Sequence, residues 1–528
     1  MRTLYTNGSI YTPTVRDATS MLVDGADVAW VGALDRADAA TFLGADRTID
    51  LDGALITPAF VDAHVHATAA GLALTGLDLS AAGSLGEALE LVDRHARASR
   101  GRPVLGSGWD ETHWPEQRPP TSAELDRAGY GGLVYLSRVD AHSAVASSAL
   151  LAAVPQARTL DGNRGDGWLT RNAHDAVRTA AYRSLTADQV GAAQRSTLRR
   201  AAALGIACLH EMAGPEVSSA EDLAALVALA AKEPGPQVIS YWGELGGLAT
   251  ARELGAVGAG GDLFVDGSLG SHTAALRAPY ADAPNTSGEL RFSADQLAEH
   301  LGACVANGLQ AGFHAIGDAA VDLVLDAVDR LARRDGPLAA AGTRVEHAEM
   351  TGDPTRFASA GLIASMQPVF DATWGGPQGM YATRVGPERA RAMNRFAELA
   401  AAGVPLAFGS DAPVTPLHPW RAVQAAAYPS EPGAAISPRA AFTAHSRGGW
   451  RAALADGDGS GVLAAGAPAT FAVWHAGPEA VDAPDERVSR WSTDPRAAIP
   501  GLPDLSPGAT LPTCLQTVLR GETIFTIG

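Results

Sequence analysis

Between about residue 59 and residue 460, short apolar runs alternate with Ala/Leu/Arg-rich stretches of helical period, and no other feature constrains the fold as strongly. The runs include PVLGSGW, GGLVYLS, GIACLHE, GDLFVDG, LQAGFHAIGD, TRVEHAEM, LIASMQPV and VPLAFGSDAP. Between them lie stretches such as LGEALELVDRHARAS, AEDLAALVALAAKE and AAVDLVLDAVDRLARR. Strand-like and helix-like segments in strict succession specify an α/β fold around a parallel sheet. Several runs end in His, Glu or Asp. In a closed (β/α) barrel the side chains at the carboxyl ends of different strands converge on one mouth. An open doubly wound sheet would want a Gly-rich first turn, which this chain lacks, and would not gather so many polar strand ends. The pattern predicts a barrel.

Both ends of the chain read differently. LYTNGSIYTP places Asn-Gly between two β-prone runs, and MLVDGADVAWVG does the same with Asp-Gly, each a hairpin signal. GAPATFAVWHA and LPTCLQTVLRGETIFTIG are β-prone segments broken by Gly and Pro. One small β-sandwich assembled from residues 1–57 and 461–528 is expected, flanking a barrel at 58–460. Residues 78–200 are long for one β/α unit, and they interleave Trp, His, Arg and Asp with Gly and Pro. They read as an insertion over the barrel mouth that shapes a pocket.

A net charge of −18 argues against nucleic acid or an anionic membrane surface as partner. Cys208, Cys304 and Cys514 lie far apart with no CxxC, so neither a disulfide framework nor a thiolate zinc site is indicated. MRTLYTNGSI lacks the apolar core of a signal peptide, and no run approaches a membrane span. A cytoplasmic protein with a small-molecule substrate is expected. A homodimer is compatible with such a barrel.

The candidate chemistry sits on strand ends. In ALITPAFVDAHVHATAAG, His64 and His66 are one residue apart, so on an extended backbone both imidazoles point to one side. His314 ends the run in LQAGFHAIGD, where Asp318 is placed to cap the following helix. His347 ends TRVEH, and Asp411 ends VPLAFGSD. Five such residues on four strand ends suit zinc or a related transition metal. An ion with an open position acidifies a bound water, and a carboxylate beside it, here Asp411, can pass the water's proton to a leaving group.

The motifs PAFVDAHVHA, GSGWDETHW, LFVDGSLGSHTAAL, GFHAIGDAAVD, RVEHAEM, ASMQPVF and LAFGSDAPV resemble those of the amidohydrolase superfamily. They are similar to its family 3, the YtcJ-like branch that includes N-substituted formamide deformylases. The resemblance implies a distorted (β/α)8 TIM-type barrel with a small β-sandwich built from both termini. It implies that His64, His66, His314, His347 and Asp411 hold metal, with Asp411 also the proton shuttle. It further implies hydrolysis of a carbon–nitrogen bond other than a peptide bond, in an amide, formamide or cyclic amide.

One position departs from the family. Many members carry a lysine on the fourth strand that, once carboxylated, bridges two metals. Here Asp262 stands in its place, and the sole lysine, Lys232, lies in a helix-to-turn segment. Asp262, by alignment, and Glu211, by its strand-end position, are the candidates for a bridge or an extra ligand. One tightly held ion, Zn2+ by ligand type, is favoured over a pair. Trp109, Asp110, Arg138, His142, His272 and Gln367 are candidate substrate contacts. An ester or lactone hydrolase using the same metal water is the alternative activity, and a non-catalytic small-molecule-binding relative is a third reading.

Overall fold

A computed structural model describes residues 1–15, 17–34, 44–139, 143–336, 339–477 and 501–527. Its centre is an eight-stranded sheet in which every pairing is parallel. We number its strands β1 (Phe60–Val65), β2 (Ile206–Ala213), β3 (Gln237–Trp242), β4 (Gly258–Ala259), β5 (Gln310–Ala315), β6 (Arg344–His347), β7 (Ile363–Met366) and β8 (Leu406–Phe408). Closure comes just beyond β8. Asp411 N donates to His64 O at 2.8 Å and His66 N donates to Ala412 O at 3.0 Å, with a parallel bridge between Val65 and Ala412. The expected barrel is therefore present, distorted by a two-residue fourth strand and by register shifts between β1 and β2.

Helices follow the strands as the apolar periodicity requires. In Asp318–Asp335 the buried residues are Ala320, Val321, Val324, Leu325, Ala327, Val328 and Leu331, one stripe at three- and four-residue spacing. Arg333 and Arg334 lie in its last turn, where cations suit the helix dipole, and Gly336 at φ 106° ends it. The cap differs from expectation. Gly317 is the N-cap residue, and the Asp318 carboxylate instead accepts the Arg277 backbone N–H at 2.8 Å.

Two further sheets come from the chain ends. One orders Asp27–Gly32, Ser20–Asp24, Arg2–Thr6 and Arg47–Asp50; the other orders Ser9–Ile10, Leu55–Pro58, Phe471–His475, Thr513–Leu519 and Glu522–Thr526. Tyr5, Met21, Val23 and Val31 from the first share a core with Ile10, Ile56, Phe471, Val473 and Val518 from the second, which makes a sandwich. The Asp-Gly signal forms its hairpin, with Ser20–Asp24 antiparallel to Asp27–Gly32. The Asn-Gly signal does not. Arg2–Thr6 pairs within the first sheet and Ser9–Ile10 pairs with Leu55–Pro58 in the second, so Asn7-Gly8 carries the chain between layers. Asn7, at φ 57°, donates its side-chain amide to Asp50, and a Cβ on Gly8 would lie 2.4 Å from Leu51 Cδ1.

Residues Ala67–Thr197 form a compact unit of their own, starting earlier than the insertion read at 78–200. Its five-stranded sheet runs Trp168–Thr170, Ser143–Ala146, Val134–Arg138, Val104–Trp109 and Leu77–Asp78. Leu85, Val92, Trp109, Trp114, Leu125, Val134 and Leu136 fill one side of it. No helix among the described residues is long and apolar enough to cross a membrane.

Candidate metal centre

Short apolar strands deliver polar side chains to one end of the barrel. His64 lies in β1 and His66 just after it; His314 lies in β5, His347 ends β6, and Asp411 follows β8. His347 at φ 67° and Asp411 at φ 53° adopt left-handed backbone, uncommon for residues with a Cβ. Beneath the rim, the buried Asp62 carboxylate accepts the N–H groups of Ser410 (2.9 Å) and His64 (3.3 Å), tying the β8 exit to β1. Burial drives its pKa up to about 6 against these hydrogen bonds. Gly409 is required there, because a Cβ would lie 2.5 Å from His64 N and 2.9 Å from Asp62 Oδ1.

All five predicted ligands meet, and Asp262 stands among them. Asp262 lies 3.5 Å from His64 Nε2, 3.3 Å from His66 Nε2, 3.4 Å from His314 Nδ1 and 3.7 Å from His347 Nε2. Asp411 Oδ1 lies 3.0 Å from His66 Nε2 and 3.6 Å from His64 Nε2. Glu211 is buried within β2, and the groupings of described residues close enough to share an ion leave it out.

The outward nitrogen of each imidazole is held by an acceptor. His64 Nδ1 donates to Glu346 Oε2 at 3.0 Å, His66 Nδ1 to the Met212 carbonyl at 3.0 Å, and His347 Nδ1 to Gln367 Oε1 at 2.9 Å. His314 is turned the other way, its Nε2 donating to the Gly267 carbonyl at 3.3 Å. Each of these rings meets an oxygen there, a carboxylate, an amide or a main-chain carbonyl, so the proton of a neutral ring sits on the outward nitrogen. The other nitrogen keeps its lone pair for the centre. Among the described residues, buried His64 Nε2, His347 Nε2 and Asp411 Oδ1 have no hydrogen-bond partner. Lone pairs and carboxylate oxygens gathered in a dry place and left without donors fit a cation.

The electrostatics agree. Burial opposes a charge on His64, yet Asp262, Glu346 and Asp411 override it and push its pKa up to about 10. Burial opposes ionisation of Asp262, yet the charge of His64 and the imidazoles of His314 and His347 beside it hold its pKa well below the usual carboxylate range. The centre favours positive charge, whether as protons or as a metal ion.

A layer below is built from residues that the sequence reading passed over. Arg344, fully buried, donates to Glu346 from Nε at 2.6 Å and from Nη2 at 3.1 Å. It also reaches the Ala63 carbonyl (2.6 Å), Ser365 Oγ (3.1 Å) and His210 Nδ1 (2.9 Å), and its guanidinium lies over the Tyr241 ring. Burial alone would raise the Glu346 pKa, but Arg344 and His64 hold it far below the normal range. The RVEH spacing carried a hint, since residues 344 and 346 share one face of a strand.

The candidate substrate contacts are placed unevenly. Gln367, a candidate substrate contact by sequence, accepts from His347 Nδ1 at 2.9 Å and orients that ring. Trp109 is fully buried, with Nε1 donating to Leu136 O at 2.9 Å. Asp110 caps the short helix Glu111–His113, and Arg138 is engaged by both Asp110 and Glu111 at 2.9 Å. His272 Nε2 meets Asp282 at 3.0 Å with its ring edge-on to Tyr280. His142 lies outside the described residues.

Comparison with known proteins places these residues in a family. The chain is 28% identical over 465 residues to the protein LONG AFTER FAR-RED 3 of Arabidopsis thaliana, covering 80% of this chain and 77% of that one. It is 27% identical over 459 residues to the putative amidohydrolase YtcJ of Bacillus subtilis, covering 81% and 83%. Its fold is similar to that of an uncharacterized metal-dependent hydrolase from Pyrococcus furiosus, with a TM-score of 0.76 and 29% identity over 90% of this chain and 98% of that one. The amidohydrolase family model matches residues 47–525, a span that holds every strand delivering a side chain to the centre. The chain belongs to the amidohydrolase family, in its YtcJ-like branch, and is a hydrolase of the divalent-metal-dependent kind.

Proposed function

We propose that the chain hydrolyses a carbon–nitrogen bond other than a peptide bond, in a small amide, formamide or cyclic amide, at a zinc centre held by His64, His66, His314, His347 and Asp411. One observation carries the reading. Four imidazole lone pairs and two carboxylates converge on one buried place while the far nitrogen of every imidazole is locked by an acceptor. The mixed N/O donor set suits Zn2+. Such an ion supplies a water acidified toward neutrality and an electrophile for the substrate carbonyl.

The protein's own residues do the rest. Asp411 takes the proton of the attacking water on the carboxylate oxygen that does not face His64 and His66, and delivers it to the departing nitrogen, which leaves as a neutral amine. Glu346, Met212 O and Gln367 keep the imidazoles neutral on their inner side and aimed inward.

The test is a panel of matched amide and ester pairs assayed on metal-loaded, chelated and reloaded protein. Amide turnover that is lost on chelation and recovered with Zn2+ is expected. Turnover of the esters alone assigns the chain to the ester or lactone alternative. No turnover, with Asp411→Asn leaving every measured property unchanged, favours a small-molecule-binding protein.

A further inference from the structure

The two oxygens of Asp262 face different partners. Oδ2 lies 3.5 Å from His64 Nε2 and 3.3 Å from His66 Nε2, while Oδ1 lies 3.4 Å from His314 Nδ1 and 3.7 Å from His347 Nε2. We propose that Asp262 bridges two adjacent cation seats through its two carboxylate oxygens. This inference deepens the proposed hydrolytic centre and rests on it.

The first seat is bounded by His64 Nε2, His66 Nε2, Asp411 Oδ1 and Asp262 Oδ2. Four of its six edges measure 3.5, 3.3, 3.6 and 3.0 Å. Donors around a tetrahedral zinc ion with bonds of about 2.0–2.1 Å stand about 3.3 Å apart, so these edges match the size of one ion. The second seat is bounded by Asp262 Oδ1, His314 Nδ1 and His347 Nε2, with edges to the carboxylate of 3.4 and 3.7 Å. It has three protein donors and room for a fourth, nonprotein ligand, which is what an ion that handles water or substrate needs. Asp411 and His347 fall in one grouping with His64, so the two seats adjoin.

A single ion serves this arrangement poorly. Taking all seven donor atoms would leave it no open position. Taking the first four would strand the inner nitrogens of His314 and His347 and one Asp262 oxygen in a buried place with no cation between them. Two seats leave none of the seven idle. Asp262 would thus do, with its own carboxylate, what a carboxylated lysine does elsewhere in the family, and the single ion that the sequence favoured becomes a pair.

Metal analysis with Mn2+ substitution tests the proposal without reference to turnover. The full-length protein, stripped and reloaded with Zn2+, is expected to retain two equivalents after desalting. Loaded with Mn2+, it is expected to give the electron paramagnetic resonance signal of an exchange-coupled pair. Asp262→Asn should lose the coupling and at least one equivalent. His314→Ala should lose the coupling and keep one equivalent in the intact seat at His64 and His66, which holds the test open should Asp262→Asn fail to fold. One tight equivalent in the wild type, two without coupling, or a coupled pair surviving in Asp262→Asn would overturn the bridge. No tight metal in the wild type would instead overturn the hydrolytic reading itself.

Discussion

Replacing Glu346 with Gln changes one atom of the side chain and two functions at once. The carboxylate accepts three hydrogen bonds, two from Arg344 (2.6 and 3.1 Å) and one from His64 Nδ1 (3.0 Å), with both side chains of the ion pair fully buried. An amide offers one oxygen and one NH2. If the oxygen faces Arg344, the NH2 confronts His64 Nδ1–H, and the ring must shift its proton inward or turn. Either response removes the lone pair that His64 offers the centre. In either orientation the guanidinium loses its only carboxylate within reach among the described residues. Breaking a buried pair by removing one partner costs about 3–5 kcal/mol, and loss of a partner behind a metal ligand costs about 10–100-fold in metal affinity. Glu346→Gln should therefore lower the thermal midpoint by several degrees and weaken Zn2+ binding by that factor in a chelator-competition titration. The double variant Arg344→Met with Glu346→Leu, which leaves no acceptor behind His64, separates the two effects. Stability should largely return, because no buried charge is left unpaired, while metal affinity stays low. Full recovery of affinity in the double variant, or an unchanged affinity in Glu346→Gln, would refute the claim that this carboxylate orients His64.

Asp411→Asn should slow amide turnover by about 10²–10⁴-fold in a steady-state assay on folded, metal-loaded protein, since an amide cannot take the proton of the water. Gly409→Ala should reduce both stability and metal content, because its Cβ would stand 2.5 Å from His64 N; melting curves and metal analysis read the two losses. His445 gives a pH prediction. Buried against Phe60 and donating Nδ1 to Val61 O at 2.9 Å, it is held neutral, burial lowering its pKa to about 4. Its neutral form contributes fully above the unfolded value of about 6.5, and that contribution is lost as pH falls from there toward 4. The loss reaches about 3 kcal/mol. His445→Gln, which can still donate to Val61 O, should flatten the acid limb of a plot of thermal midpoint against pH.

Much of this centre could be read along the chain because each predicted ligand ends a short apolar run. His64, His66, His314, His347 and Asp411 announce themselves by position on a strand, and a barrel brings strand ends together. Asp262 was visible only as a substitution for an expected lysine. That its two oxygens face two pairs of histidines depends on which strands are neighbours, and no spacing encodes that. Arg344, Glu346 and the Met212 carbonyl were silent for the same reason, since their roles arise between β1, β2 and β6. The errors have local causes. Asn7-Gly8 has hairpin chemistry, but the run after it pairs with Leu55–Pro58 and not with its predecessor. Trp109 and Arg138 carry the side chains of a binding surface, yet a core and two carboxylates take them up first.

The unit at Ala67–Thr197 begins one residue after His66, yet β1 and β2 on either side of it are hydrogen-bonded neighbours. Its two ends meet. Thr197 Oγ1 donates to the Ala67 carbonyl at 2.7 Å and Gln194 Nε2 to Thr68 Oγ1 at 3.1 Å. Once that unit has folded, the chain leaving it emerges beside the chain that entered. Joining β1 to β2 then carries the entropy of a short connection, although well over a hundred residues intervene. Such a cassette can be lengthened, shortened or exchanged for another with the same closely spaced ends while the pairing that sets His64 and His66 stays as it is. Sequence change can therefore accumulate in the cassette while the barrel strands keep their register.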